Sequence, residues 1–150
     1  MTQKLQPLSK TLIGTWELLS REDVTASGES RIESSLGADP FGLLIYDSGG
    51  NFAAQFMKRV RVDLQVDNLP ASVNNSRAQG GYDAYFGTYT VDDQKGTVTQ
   101  KLVAALSPEN VGQVLTRSMT VTGDRLEIKI DIVLGDGMSI VRTLRWRRVA

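Results

Sequence analysis

Two residue types that enzymes commonly use are missing, because the 150-residue chain contains no histidine and no cysteine. Without histidine there is no imidazole general base, and hydrolases built on a Ser-His-Asp triad are therefore excluded. Without cysteine the chain forms no thiolate nucleophile, no disulfide, no zinc finger and no iron–sulfur ligand set. Any bound metal would be a hard cation held by oxygen atoms, and we expect no cofactor.

An excess of either charge is also missing, since 17 Lys and Arg residues balance 17 Asp and Glu residues. This balance favours neither nucleic acid nor an anionic membrane as the partner. The apolar runs, such as residues 42–46, are only a few residues long, far short of a membrane-spanning helix. Residues 1–7 contain a lysine, polar residues and a proline rather than the apolar core of a signal peptide. We therefore expect a single cytoplasmic domain spanning residues 1–150.

What the chain does contain is alternation of apolar and polar residues, which is typical of antiparallel β-strands. In the clearest case, residues 126–134, isoleucine and leucine alternate with Glu127, Lys129 and Asp131. Turn signals divide the chain into about nine such strands: 13–21, 30–35, 43–47, 51–60, 84–91, 97–106, 114–122, 126–134 and 138–149. This spacing predicts an all-β barrel or sandwich, preceded by one helical turn over residues 7–12.

Residues 61–81 interrupt this pattern of strands and short turns. Their first part continues the alternation of the preceding strand, and their second part, from Asn68, is rich in Asn, Ser and Gly. A long loop in a small domain is usually a lid, a binding loop or a disordered stretch. The sequence leaves these alternatives open.

The first strand begins with Gly14-Thr15-Trp16, and the last ends with Trp146-Arg147-Arg148. Between them lie Asp39-Pro40-Phe41-Gly42, Ala84-Tyr85-Phe86-Gly87-Thr88-Tyr89, Gly96-Thr97-Val98-Thr99 and Gly123-Asp124-Arg125-Leu126. Together these segments resemble the bacterial and fungal lipocalin-like domain family of short calycin-type barrels. The resemblance implies a closed antiparallel up-and-down β-barrel of about eight to nine strands.

The resemblance also implies a role for Trp16, which is expected to plug one end of the barrel. An arginine near the end of the last strand is then expected to lie across the indole and to bond nearby carbonyl groups. Arg145, Arg147 and Arg148 are the candidates. The chain departs from the family pattern at Gln100, where many members carry a histidine. A family activity that depends on this histidine is therefore in doubt here.

Alternation assigns one face of each strand to the barrel interior. The inward face of the first strand holds Trp16 and Ser20, and on strand 84–91 we favour the face with the two tyrosines over the alternative. The groups expected to contact a ligand are Arg117, Tyr85, Tyr89, Gln100, Gln55, Tyr46, Arg142 and Met119. Since no Asp or Glu falls on the assigned inward faces, Arg117 is expected to meet a ligand carboxylate, enolate or carbonyl, or water and tyrosine hydroxyls. The alternatives are an arginine that reaches water at a barrel mouth, and tyrosines that serve only as core or rim side chains.

Apolar walls with a few polar groups are typical of a site for one small molecule. We therefore expect the barrel to bind a small, largely apolar ligand, polyketide- or lipid-like, with an anionic or carbonyl end. The alternative is a cofactor-free isomerase or cyclase acting on a natural-product intermediate, with Arg117, Tyr85 and Tyr89 as its catalytic groups. A filled barrel that only binds other proteins is a third option. A homodimer formed through an outer sheet face is expected, with a monomer as the alternative.

Overall fold

The fold is built almost entirely from β-strands, in a computed structural model that describes residues 6–60 and 78–150. Within these ranges one short helix, α1 (Leu8–Thr11), precedes nine strands, and no helix is long and apolar enough to cross a membrane. The strands are β1 (Gly14–Thr25), β2 (Ser30–Arg31), β3 (Phe41–Tyr46), β4 (Asn51–Met57), β5 (Tyr82–Asp92), β6 (Thr97–Ala105), β7 (Val114–Thr122), β8 (Arg125–Val133) and β9 (Ser139–Arg148). The predicted helical turn and the predicted strand count are confirmed, although β1 is longer and β2 shorter than expected.

The strands form one antiparallel sheet in the order β2-β1-β3-β4-β5-β6-β7-β8-β9. A further pairing joins β1 to β9, so that β1 and β3–β9 close into an eight-stranded barrel. β2 adds two residue pairs to the end of β1. The closed up-and-down barrel implied by the family resemblance is therefore confirmed.

Trp16 plugs the end of the barrel where α1 lies. Its side chain is fully buried, and its indole N–H donates to the carbonyl oxygen of Leu12 at 3.0 Å. The guanidinium of Arg148 lies 4.3 Å from the centre of the indole ring and donates to the carbonyl oxygens of Ile13, at 2.7 Å, and Thr11. Arg148 is thus the arginine that the sequence left undecided among three candidates.

A β-bulge on β1 changes which side chains face inward. The register between β1 and β9 shifts between Leu18 and Ser20, and one extra residue at such a point reverses the alternation that follows. Beyond the bulge Arg21 and Asp23 are buried, whereas Ser20 is not. The prediction of an inward Ser20 was therefore wrong, as was the prediction that no carboxylate faces the interior.

The favoured face of β5 is the inward one. Tyr85 and Tyr89 pack against the core, whereas Phe86 between them is 55% exposed. Gly87 allows β6 to come close, since a Cβ atom there would lie 1.8 Å from the carbonyl oxygen of Lys101. This close approach coincides with a register shift between β5 and β6.

Most of the irregular segment lies outside the described residues. The predicted lid and the predicted continuation of strand alternation fall on residues 61–77, and only residues 78–81 of that segment are described. There, Gln79 and Tyr82 exchange backbone hydrogen bonds of 2.7 and 3.0 Å, which forms the turn that leads into β5.

The outer surface of the barrel has two unlike halves. On β8, β9 and β1 the outward side chains form ion pairs, and on β7 the exposed side chains are mostly threonine and serine; we call this surface the ion-paired face. Arg147 donates to Glu17 at 2.7 Å, and Arg145 lies 3.6 Å from Glu22 and 3.4 Å from Glu127. Arg145 and Arg147 therefore serve the solvated surface rather than the plug at Trp16.

On β3–β6 the outward side chains are mostly apolar, and we call this surface the apolar face. Its large exposed members are Phe41, Leu43, Ile45, Phe86, Val103 and Leu106. Between them lie three small residues, Ala53, Ala84 and Ala104, at positions set by the strand register. Soluble proteins rarely leave so many neighbouring apolar side chains on one surface without a use for them.

Candidate functional site

The inward side chains differ between the two ends of the barrel. The half next to α1, the closed half, is lined by Trp16, Tyr46, Phe52, Val98, Leu126 and Trp146. The opposite half, the far half, lies where β1 ends and where β5 and β9 begin, and its buried charged side chains are Arg21, Asp23, Asp83 and Arg142. Arg117 faces inward from the middle of β7, between the two halves.

Three of the predicted ligand groups form one hydrogen-bonded chain. The amide nitrogen of Gln100 donates to the hydroxyl oxygen of Tyr46 at 2.6 Å, and that hydroxyl donates to the sulfur of Met119 at 3.8 Å. All three side chains are buried. Burial raises the pKa of Tyr46 far above its usual range, so its phenol stays neutral. The structure thus brings these three residues together, and their hydrogen bonds to one another fix their positions in the core.

The two inward tyrosines occupy different surroundings. Tyr89 donates its hydroxyl to the carbonyl oxygen of Asp47 at 2.6 Å, and its ring meets that of Tyr46 edge-on with 4.8 Å between centroids. Tyr85 lies between Phe52 and Phe56, at centroid distances of 6.1 and 6.3 Å. Tyr89 therefore belongs to the closed half, and Tyr85 forms part of an aromatic wall that leads to the far half.

Arg142 is buried as predicted, but its charge is already neutralised. Its guanidinium donates two hydrogen bonds to the carboxylate of Asp23, at 2.8 and 3.0 Å. Both side chains are almost wholly buried. Such a bidentate contact, a fork of two hydrogen bonds between one guanidinium and one carboxylate, fixes the geometry of both side chains. Arg142 is thus engaged within the protein, by an aspartate that the bulge on β1 turned inward.

Arg21 makes a second ion pair beside the first. Its guanidinium lies 3.1 Å from a carboxylate oxygen of Glu33. Burial, and then the charge of Arg142, lower the pKa of Arg21. Burial alone would raise the pKa of Glu33, but hydrogen bonds from Ser35 and the charge of Arg21 outweigh it and lower that pKa. Within residues 6–60 and 78–150, the acidic side chains do not gather in the groups of three that a metal ion would need.

Asp83 is the unusual group of the far half, and sequence reasoning missed it. Its side chain is fully buried, and neither carboxyl oxygen has a hydrogen-bond partner in the described part of the chain. Burial raises its pKa to about 7, opposed by the nearby N–H of Ala84, which stops short of a hydrogen bond, and by the charge of Arg21. Near neutral pH this carboxyl is therefore part neutral and part charged.

Arg117 holds its predicted place. It faces inward and is 9% exposed. Burial lowers its pKa, while Tyr85 and Tyr46 act in the opposite direction and favour the charged form. Since the ordinary pKa of arginine is above 12, the guanidinium stays charged inside the barrel.

Gln55 lies on the outer surface of the barrel, whereas the sequence predicted that it faces the interior. On β4 the buried side chains are Phe52, Ala54 and Phe56, so the period of two turns Gln55 outward. It lines a cleft of about 450 Å³ at the edge of the apolar face, where the pairing of β1 with β3 stops at Glu17. The prediction that Gln55 lines the interior was therefore wrong.

A family model described as a lipocalin-like domain matches residues 13–149. No curated protein matches the chain. Because the family match covers nearly the whole barrel, from the strand that carries Trp16 to the end of β9, the chain belongs to the lipocalin-like domain family.

Proposed function

We propose that this member of the lipocalin-like domain family binds one small, largely apolar molecule inside its barrel. The ligand we propose is polyketide- or lipid-like and ends in an anionic or carbonyl group. The observation that carries the proposal is the inward, buried position of Arg117. A buried, charged guanidinium near aromatic side chains is the kind of polar group that orients an apolar ligand in a pocket.

The surroundings of Arg117 offer separate contacts for the apolar body and the polar end of the ligand. The apolar body would lie against the aromatic wall of Phe52, Tyr85 and Phe56, whose rings are about 6 Å apart. Each methylene group removed from water there contributes about 0.8 kcal/mol to affinity. The polar end would then meet Arg117, with the hydrogen bonds of Tyr46 and Gln100 already satisfied by each other.

A pair of matched probes tests this proposal. cis-Parinaric acid, an apolar fluorescent carboxylic acid, is titrated beside its uncharged methyl ester. Arg117→Met is expected to weaken binding of the acid by about 1.5–3 kcal/mol, or roughly 10- to 150-fold, because a charge-assisted hydrogen bond is lost. Binding of the ester is expected to change little.

Thr116→Met is the matched control, since Thr116 neighbours Arg117 on β7 but is exposed. It should leave both titrations unchanged. Native mass spectrometry of freshly purified protein should also show a bound small molecule that Arg117→Met reduces. If Arg117→Met changes neither the binding of the acid nor the stability of the barrel, Arg117 does not hold the ligand.

A second candidate function is a cofactor-free isomerase or cyclase acting on a natural-product intermediate in the same barrel. The observation that favours it is Asp83, whose buried carboxyl has a pKa of about 7. Groups with such a pKa exchange protons readily at neutral pH and are common in active sites. Arg117 and Tyr85 would then stabilise negative charge that develops on the substrate, whereas the hydroxyl of Tyr89, the third group assigned from the sequence, already donates to Asp47.

This second function has its own readout. A molecule identified by native mass spectrometry is incubated with the protein, and its conversion is followed by liquid chromatography. Asp83→Asn should abolish conversion while the molecule still binds. Conversion that survives both Asp83→Asn and the combined loss of Arg117, Tyr85 and Tyr89 would refute the assignment.

We also propose that the barrel acts as a homodimer and without a nucleic-acid partner. The exposed apolar face supports the dimer, and the balanced charge of the chain supports the second point. The cytoplasmic location stays a prediction from the sequence.

A further inference from the structure

The apolar face places one large exposed side chain beside small ones. Phe86 on β5 is 55% exposed, and its direct neighbour in the strand register is Ala53 on β4. Two surface hollows, of about 230 and 340 Å³, are both lined by Ala53 and Phe86. The face thus carries a projection and a depression side by side, which is the shape that a two-fold symmetric contact requires.

We propose that a second copy of this chain covers the apolar face, about a two-fold axis that runs parallel to the strands between β4 and β5. Such an axis lays the two sheets face to face with their strands nearly aligned, as packed sheets prefer. The proposal goes beyond the existence of a homodimer because it fixes the surface, the axis and the contacts.

The register of the strands determines which residues would meet. Ile45, Ala53, Phe86 and Ala104 form one row across β3, β4, β5 and β6. A two-fold axis between β4 and β5 exchanges β4 with β5 and β3 with β6. Phe86 then lies over the partner's Ala53, and Ile45 lies over the partner's Ala104. A large side chain meets a small one in both pairs, so the surfaces interlock.

The next row toward the closed half adds charge complementarity. It consists of Asp47, Asn51, Thr88 and Lys101, joined by backbone pairing from β3 to β6. The same axis places Asp47 opposite the partner's Lys101, and this contact occurs twice in the dimer. Hydrogen bonds from Asn51, first of all its backbone N–H, lower the pKa of Asp47, so it is ionised and ready for such a contact.

The alternative axis, perpendicular to the strands, fits less well. Passing through the row of Phe86, it would set Phe86 over the partner's Phe86 and bring Asp47 against the partner's Leu43. A charge would then meet an apolar side chain and lose its water without compensation. The parallel axis is therefore the one that the pattern of size and charge supports.

The area of the apolar face limits how tightly the dimer can associate. Strands lie about 4.8 Å apart and alternate residues about 6.8 Å apart. Four strands with three outward residues each therefore cover roughly 200 Å² between backbone positions, and about 400 Å² once side-chain reach is included. A standard interface buries about 800 Å² on each partner. We therefore expect a reversible dimer that dissociates on dilution.

Sedimentation velocity of the full chain over a range of concentrations is the first test. The wild-type chain should shift from monomer to dimer as concentration rises. Phe86→Asp should weaken the dimer at least about 30-fold, the loss expected of a central contact residue. Lys101→Glu should weaken it by a smaller factor, and more so at low salt, because it sets two acids against each other.

Matched controls lie on the ion-paired face. Thr120→Asp and Lys129→Glu make the same kinds of change at outward positions of β7 and β8 that are exposed, and both should leave dimerisation as in the wild type. Phe86 and Lys101 face away from the barrel interior, so their variants should still bind cis-parinaric acid. A failure of the dimer and a failure of ligand binding are therefore separable.

A disulfide tests the axis itself, because the chain has no other cysteine. Ile45→Cys combined with Ala104→Cys places the two thiols three strand spacings, about 14 Å, apart within one chain, too far for a disulfide. Mild oxidation should therefore give a covalent dimer of the double variant, and neither single variant should cross-link. A chain that stays monomeric at every concentration, a dimer unaffected by Phe86→Asp, or single variants that cross-link as well as the double would overturn the proposal.

Discussion

The two halves of the barrel interior treat their polar groups differently. In the closed half, the indole of Trp16 bonds to a backbone carbonyl, and the amide of Gln100 bonds to the hydroxyl of Tyr46. The indole N–H of Trp146 is the exception, being buried without a partner in the described residues. The closed half is therefore a packed core whose hydrogen bonds are mostly made within the protein.

The far half instead contains charge. The fork between Arg142 and Asp23 lies near the pair of Arg21 and Glu33, while the carboxyl of Asp83 is buried without a hydrogen bond from any described residue. Burying charge costs more than the attraction of a pair usually returns. The closed half is therefore stabilised mainly by packing and neutral hydrogen bonds, whereas the far half buries ionisable groups, among them Asp83 with a pKa of about 7.

The largest expected effect comes from breaking the closed half. Trp16→Ala removes a fully buried indole, its hydrogen bond to Leu12 and its contact with Arg148. We expect the free energy of unfolding to fall by the upper part of the range of about 3–5 kcal/mol for such truncations. Urea unfolding followed by circular dichroism measures this loss. Leu19→Ala, at a 40% exposed position of the same strand, should cost less than about 1 kcal/mol.

A smaller effect is expected from breaking the ion pair of the far half. Arg142→Met leaves the buried carboxylate of Asp23 without its fork and should lower the free energy of unfolding by about 3 kcal/mol. The double variant Arg142→Met/Asp23→Leu removes both charges and should recover most of that loss in the same urea experiment. If the double variant is as unstable as the single one, the pair stabilises the far half by more than mutual neutralisation.

Long alternation explains which inward faces were predictable. The inward faces of β7 and β9, with Arg117 and Arg142, followed from the period of two of these strands, which the burial of β9 breaks only at Thr143. An arginine over the indole of Trp16 was expected, but the sequence left three candidates, and only the structure identifies Arg148. Gln55 was misplaced because its strand has a mixed pattern that includes two alanines and fits either face.

Asp23 and Asp83 were missed for different reasons. The bulge near Ser20 has no sequence signal, because the residues after it are mostly polar on both faces. Asp83 did have a signal, since it shares the parity of Tyr85 and Tyr89 and lies one residue before the predicted start of that strand. Extending the alternation by one residue would have placed it inside the barrel.

The stability of the far half is expected to depend on pH through Asp83. The pKa of Asp83 is about 7 in the folded barrel and about 3.9 in an unfolded chain. The folded state therefore holds the proton more tightly, and the stability this provides is complete below about pH 4 and is lost as pH rises through 7. The pKa shift corresponds to a loss of at most about 4 kcal/mol in the free energy of unfolding between pH 4 and pH 8. We expect a loss of about 2 kcal/mol, because Arg21 can move toward the charged carboxylate and stabilise it.

Asp83→Asn removes this titration. In urea unfolding at a series of pH values, the variant should match the wild type near pH 4 and exceed its stability by about 2 kcal/mol at pH 8. Asp131→Asn, at an exposed position of β8, is the control and should not change the pH dependence. A difference between Asp83→Asn and the wild type that stays constant from pH 4 to pH 8 would mean that Asp83 does not titrate in this range. The protonation state of the far half, like the hydrogen bonds of the closed half, would then be constant between pH 4 and pH 8.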